Sequence, residues 1–153
     1  MAGSRLRVSY GELARDARRG ASVLRAAGLR TGGGIAVLAE NRIESLKLYW
    51  AAQLAGLYYT AISVQFQDGE IAYILSDCDA DVFVTTTAQL ARLPHLAVPQ
   101  RRRFLIDGEA PGWDNWIAAL EAESDDLIAD ACEGAEMLYS SGTTGRPKGV
   151  RNA

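Results

Sequence analysis

The sequence predicts an α/β protein built on a mainly parallel sheet with flanking helices. Apolar residues recur at helical spacing behind paired capping residues, short branched or aromatic runs follow the helical stretches, and glycines mark the joins. Strands alternating with helices need crossover connections, which favour parallel pairing under covering helices.

Ser9 followed by Glu12 is a capping-box pair that opens the first helix. Leu13, Ala17, Ala21 and Leu24 form its apolar stripe, the arginines are expected to face outward, and Gly28 supplies a stop. A turn through Gly32, Gly33 and Gly34 leads into a buried strand over 35–39. Asn41 and Glu44 repeat the capping pattern before a strongly apolar helix carrying Ile43, Leu46, Leu48, Tyr49, Trp50, Ala52 and Leu54, which ends near Gly56. Residues 57–63 read as a strand rich in aromatic and branched residues. A helix over 70–76, an Asp-rich turn and a strand over 82–86 complete a second cycle. Residues 103–106 form another strand, stopped by Asp107 and Gly108. A helix over 113–123 then places Trp113, Trp116, Ile117 and Leu120 along one side. The acidic interval 121–136 is a connection inside one domain, and 135–139 is a strand entering a glycine-rich run.

With 153 residues, 48% hydrophobic and 23% charged, the chain can bury a real core and is not a disordered polymer. Seven arginines precede residue 31, and ten acidic residues with no Lys or Arg occupy 107–136. This segregation fits solvated surfaces, since no nucleic-acid module accompanies the arginines. Nucleic acid is therefore not an expected partner. Cys78 and Cys132 are far apart, with no CxxC, and fit a reduced cytoplasmic protein. His95, the only histidine, lies in a Pro-bounded loop and is read as a loop residue without a metal role. Residues 48–67 carry no formal charge and are long enough to span a bilayer. Gln53, Gly56, Ser63, Gln65 and Gln67 break the run, so a buried helix followed by a buried strand is expected in place of a transmembrane segment.

The segment Tyr139-Ser140-Ser141-Gly142-Thr143-Thr144-Gly145-Arg146-Pro147-Lys148-Gly149-Val150 carries the chemistry. Gly142, Gly145 and Gly149 allow tight turns and close backbone approach to a ligand. Backbone N–H groups in such a loop can converge on phosphate oxygens, and Ser140, Ser141, Thr143 and Thr144 add hydroxyl donors. Lys148 adds a mobile cation behind the restricting Pro147. Gly142 and Lys148 have the separation of the first glycine and the lysine in a Walker motif. Pro147 nevertheless stands where that motif needs glycine, and Gly149 where it needs a magnesium-binding hydroxyl. The Gly33-Gly34 turn before a strand is likewise misplaced for a Rossmann fingerprint.

The run from Ser140 to Gly149 resembles the AMP-binding motif of the adenylate-forming superfamily, which includes acyl-CoA synthetases, peptide-synthetase adenylation domains and luciferases. Tyr10-Gly11-Glu12-Leu13 and Asn41-Arg42 extend the resemblance upstream. Residues 57–62 and 72–78 are most similar to bacterial fatty acyl-CoA synthetases, the long-chain fatty acid–CoA ligases. The resemblance implies that 1–153 is the N-terminal portion of the large domain, incomplete and ending just after the phosphate-binding loop, with the C-terminal domain absent.

It also implies ATP-dependent conversion of a carboxylic acid, in particular a fatty acid, to an acyl-adenylate and then to acyl-CoA. ATP, Mg²⁺ and CoA are the implied cofactors or cosubstrates, with the magnesium ligand downstream. Ser140, Ser141, Gly142, Thr143, Thr144, Gly145 and Lys148 would bind the triphosphate. Thr143 and Lys148 would stabilise its charge without acting as nucleophiles. The 153-residue chain is expected to be inactive alone, with the remainder of the enzyme or a self-associating copy as partner. A non-catalytic nucleotide-binding or protein-interaction remnant and adenylation for a carrier protein or another acceptor remain alternatives. The stretch 64–70 departs from the family's Leu-Thr pair, so a weakened helix start is expected there.

Overall fold

The computed structural model describes residues 7–140 and 145–151. Helix α1 spans Tyr10–Ala26 with Ser9 as its N-cap. The Ser9 N–H donates to the Glu12 carboxylate at 2.8 Å, and the Glu12 N–H donates to the Ser9 hydroxyl at 3.2 Å. Ala17, Ala21 and Leu24 are buried along its inner face. Gly28, at φ +100°, takes the left-handed conformation that ends the helix.

Strand β1, Gly34–Leu38, is buried throughout and lies in the middle of the sheet. Helix α2 covers Ile43–Leu54 and leads to β2, Tyr58–Ile62. Helix α3 covers Asp68–Asp77 and β3 covers Ala80–Thr85. The short α4, Thr87–Arg92, precedes β4, Arg102–Leu105, and β5, Asp114–Asn115. Helix α5, Trp116–Glu121, leads through the acidic connection to β6, Ala135–Ser140, and β7, Lys148–Arg151.

The sheet order is β5-β4-β3-β1-β2-β6-β7, parallel except for the antiparallel pairing of β6 with β7. Alternation along β1 divides the core in two. Ile35 and Val37 pack with Leu24, Leu48, Phe104 and Trp116 on one face. Ala36 and Leu38 pack with Ile71, Ile74, Leu75 and Phe83 on the other. A strand covered on both sides reads as a continuous apolar run, as β1 does. Among the described residues no helix is long and apolar enough to cross a membrane, and the uncharged stretch resolves into α2 and β2.

Several expectations are corrected. Arg42, not Asn41, is the N-cap of α2, and its side chain makes no capping bond. Its Nε instead donates to Glu44 at 3.0 Å, which draws that carboxylate away from the helix backbone. Arg25 does not face outward, since its side chain is only 12% exposed. Helix α5 begins at Trp116 because the Asn115 side chain accepts the Ala118 N–H at 2.9 Å. The two tryptophans consequently serve opposite faces, Trp116 edge-on to Phe104 and Trp113 edge-on to Phe83. Helix α3 starts earlier than expected, where the Gln67 N–H donates to the Glu70 carboxylate at 2.8 Å; the unusual 64–70 stretch thus supplies its own start signal.

Candidate active site

The chain leaves β1 for β2 on one side and places β3 on the other, so the carboxyl ends of β1 and β3 form a topological switch point. Such edges are where open α/β sheets bind ligands. A cleft of about 500 Å³ opens beside this switch point, at the carboxyl ends of β1 and β2, lined in part by Glu40, Asn41, Ser45, Ser63 and Gln65. Glu40 is fixed there: its carboxylate accepts from Gln89 Nε2 at 2.6 Å and from the Thr86 hydroxyl at 3.1 Å. The Gln89 bond, more than any other influence, holds the carboxyl below its ordinary pKa of 4.5.

Strand β6 runs parallel to β2, pairing Tyr58 with Ala135 and Tyr59 with Glu136, and therefore delivers Ser140 to the same edge. Beyond Glu136 its partner changes. Met137, Leu138, Tyr139 and Ser140 pair with Arg151, Val150, Gly149 and Lys148 of β7. Residues opposite one another on antiparallel strands share a face. Ser140 and Lys148 are thus placed together at the neck of the hairpin, both exposed, with Leu138 and Val150 behind them on that face.

Tyr139 and Gly149 occupy the opposite face. A Cβ at Gly149 would lie 2.9 Å from Tyr139 Cζ, so glycine leaves the lane that the ring fills. The Tyr139 hydroxyl donates to Asp77 at 2.7 Å; burial first and this bond second push its pKa up. On the far side of the loop Gly145 has φ +91°, Pro147 is buried, and the Arg146 guanidinium lies 5.7 Å from the Tyr73 ring centroid.

Of the residues expected to bind phosphate, the structure brings together Ser140, Gly145 and Lys148 around one hairpin. Ser141, Gly142, Thr143 and Thr144 lie outside the described residues. The donor set at the neck, one hydroxyl and one ammonium on an exposed face, suits a phosphate group. Among the described residues no group of three or more His, Cys, Asp or Glu is placed to hold a metal ion.

Residues 2–151 match the model of the AMP-binding enzyme family. The chain belongs to that family. Among curated AMP-binding relatives, 4-coumarate–CoA ligase 1 of Oryza sativa is 32% identical over 155 residues, covering 94% of this chain and 28% of the relative. A long-chain-fatty-acid–CoA ligase of Mycobacterium tuberculosis is 29% identical over 155 residues, covering 95% of this chain and 29% of the relative. The chain therefore spans less than a third of these relatives. The crystal structure of a Brucella canis acyl-CoA synthetase superposes with a TM-score of 0.83 at 23% identity, over 94% of this chain and 27% of that one. The shared architecture is that of the first part of the adenylate-forming large domain.

Sequence reasoning did not single out Tyr73, Asp77 and Asp79 as neighbours of the glycine-rich hairpin. Tyr73 lies in the last turns of α3, Asp77 at its end and Asp79 in the Asp-rich turn that follows, but adjacency to β6 and β7 depends on the sheet order.

Proposed function

We propose that this chain supplies the triphosphate-binding segment for ATP-dependent activation of a carboxylic acid, with a fatty acid as the acid and CoA as the acceptor. In this reaction a carboxylate oxygen attacks the α-phosphorus, pyrophosphate leaves, and the CoA thiolate then displaces AMP to form the thioester. The carrying observation is the in-register placement of Ser140 and Lys148 on one exposed face at the neck of a glycine-bearing hairpin.

Here Ser140 donates a hydrogen bond to a phosphate oxygen, and Lys148 offsets charge that builds as pyrophosphate departs. Ser141, Thr143 and Thr144 add donors, while Gly142 and Gly145 let the backbone approach. Mg²⁺, when bound with ATP, neutralises phosphate charge. Two relatives whose names specify acid–CoA ligation support the reaction class, and the mycobacterial relative supports a fatty substrate.

The test is carboxylate-dependent ATP–pyrophosphate exchange by the 153-residue chain and by a full-length family member carrying residues 2–151 of this chain in place of its own segment. The short chain is expected to show none and the chimera to exchange. Lys148→Ala should slow the chimera by about 10²-fold, the usual effect of losing one transition-state charge donor. An unchanged rate removes Lys148 from this role, and robust exchange by the short chain overturns its expected inactivity.

A further inference from the structure

The hairpin that carries Ser140 and Lys148 is gripped from α3 on both sides of its loop. Before the loop, the Tyr139 hydroxyl donates to Asp77 Oδ2 at 2.7 Å. After it, Arg146 stacks over Tyr73, whose hydroxyl reaches the other Asp77 oxygen at 3.4 Å. One turn of helix, from Tyr73 to Asp77, thus meets both ends of the loop.

A second attachment lies at the base of the hairpin. Arg151 donates to Asp79 at 2.9 Å, and its guanidinium lies 5.0 Å from the Tyr58 ring centroid. Asp79 is the only non-glycine residue with positive φ among those described, at 52°. This left-handed step ends α3 and starts β3 at Ala80. Exposed ion pairs contribute little to stability, and Arg151 and Asp79 are 45% and 78% exposed. Their value here is directional: the sheet holds β6 to β2 through only two residue pairs, so the rest of the hairpin needs lateral contacts to fix its orientation.

We propose that Tyr73 and Asp77 are positioning residues that aim the phosphate-binding hairpin, with Tyr139 as the ring they hold and Gly149 as the gap that admits it. The assignment rests on the phosphate-binding reading of Ser140 and Lys148. Register explains why the grip lies where it does. Tyr139 faces α3 because Ser140, its neighbour along the strand, faces away with Lys148. Fixing Tyr139 therefore fixes the direction of the donor face without placing any α3 group on the substrate.

Two measurements test this. In the 153-residue chain, Asp77→Ala and Tyr139→Phe should each speed amide exchange of 137–140 and 148–151 by about tenfold, leaving β1 and β3 unchanged. Asp77→Asn, which still accepts from the Tyr139 hydroxyl, should restore most of the protection. In the full-length chimera, Asp77→Ala should raise KM for ATP by about tenfold with little change in KM for the acid, again with rescue by Asp77→Asn.

Unchanged exchange at the hairpin overturns the grip. Faster exchange with an unchanged KM for ATP, in a chimera that Lys148→Ala does slow, overturns the positioning role. If Lys148→Ala leaves the chimera unaffected, the phosphate reading itself fails, and the α3 contact is left as a hairpin attachment only.

Discussion

Arg25 Nε donates to both carboxylate oxygens of Asp130 at 3.1 Å while the same guanidinium donates through Nη2 to the Ala55 carbonyl at 2.9 Å. One side chain thereby joins the end of α1, the corner after α2 and the acidic connection before β6. The two halves of this arrangement differ in weight. Ala55 is fully buried, whereas the Asp130 side chain is 57% exposed. Arg25→Leu should destabilise the fold by about 1–3 kcal/mol, because a buried carbonyl loses its donor. Asp130→Asn should shift the denaturation midpoint far less. Equal shifts in urea titrations of the two variants would contradict this division.

At Gly20 α1 packs directly against Ala51 of α2. A Cβ placed there would be 2.7 Å from Ala51 Cβ and 3.4 Å from Trp116 Cζ2. Alanine is the better helix former by about 1 kcal/mol, so an exposed glycine replaced by alanine would gain stability. At this crossing overpacking outweighs that gain, and Gly20→Ala should cost about 1–3 kcal/mol. Adding Ala51→Gly should recover part of the loss. A more stable Gly20→Ala single variant, by thermal melting, would show that the helices separate freely.

The signals that could be read in advance were local ones. Ser9 and Glu12 cap α1 through atoms three residues apart, so their pairing is written in the sequence. Where a distant partner competes, the same reading fails. The start of α2 shifts to Arg42 because its guanidinium bridges Glu44 and Asp107, and Asp107 is remote in sequence. Helix α4 is not legible in advance because its residues, Thr87–Arg92, include a single large apolar side chain, Leu90, and so display no apolar period. Strand β7 is exposed along its length and alternates no apolar face, so only pairing with β6 defines it. The same limit applies to the candidate site. Glycines, hydroxyls and Lys148 raise the expectation of a phosphate loop, whereas the facing of Ser140 and Lys148 and the contact of Tyr139 with α3 follow from strand register.

Glu40 gives a pH-dependent test of the carboxyl edge. Its pKa lies below the ordinary 4.5, chiefly through the Gln89 hydrogen bond, with burial opposing. A carboxyl whose pKa is depressed by folding adds stability above its unfolded pKa and loses it as pH falls through the folded value. Gln89→Leu should therefore move the Glu40 titration upward in carboxyl-detected NMR. The stability lost by that variant should be greatest near neutrality and shrink in acid. An unmoved Glu40 midpoint would remove Gln89 as the cause.

Lys47 and Lys148 make an instructive pair of lysines. The Lys47 ammonium meets Asp16 at 2.8 Å, joining α2 to α1, with the side chains 20% and 17% exposed. For Asp16, burial acts upward on the pKa but is outweighed by Lys47 and Arg15, leaving the value below its ordinary 3.8. The pair thus contributes above that pH and fades as Asp16 is protonated. Lys47→Ala should lower stability by about 1 kcal/mol, at the upper end for ion pairs near a surface. It should leave ATP–pyrophosphate exchange by the chimera unchanged once the protein is folded. Lys148, exposed at the hairpin neck, should show the reverse, with exchange impaired and the denaturation midpoint almost unmoved. Measuring both quantities for both variants separates a lysine that holds helices together from one that acts in the exchange reaction as proposed. A matching loss of exchange in Lys47→Ala would erase the distinction.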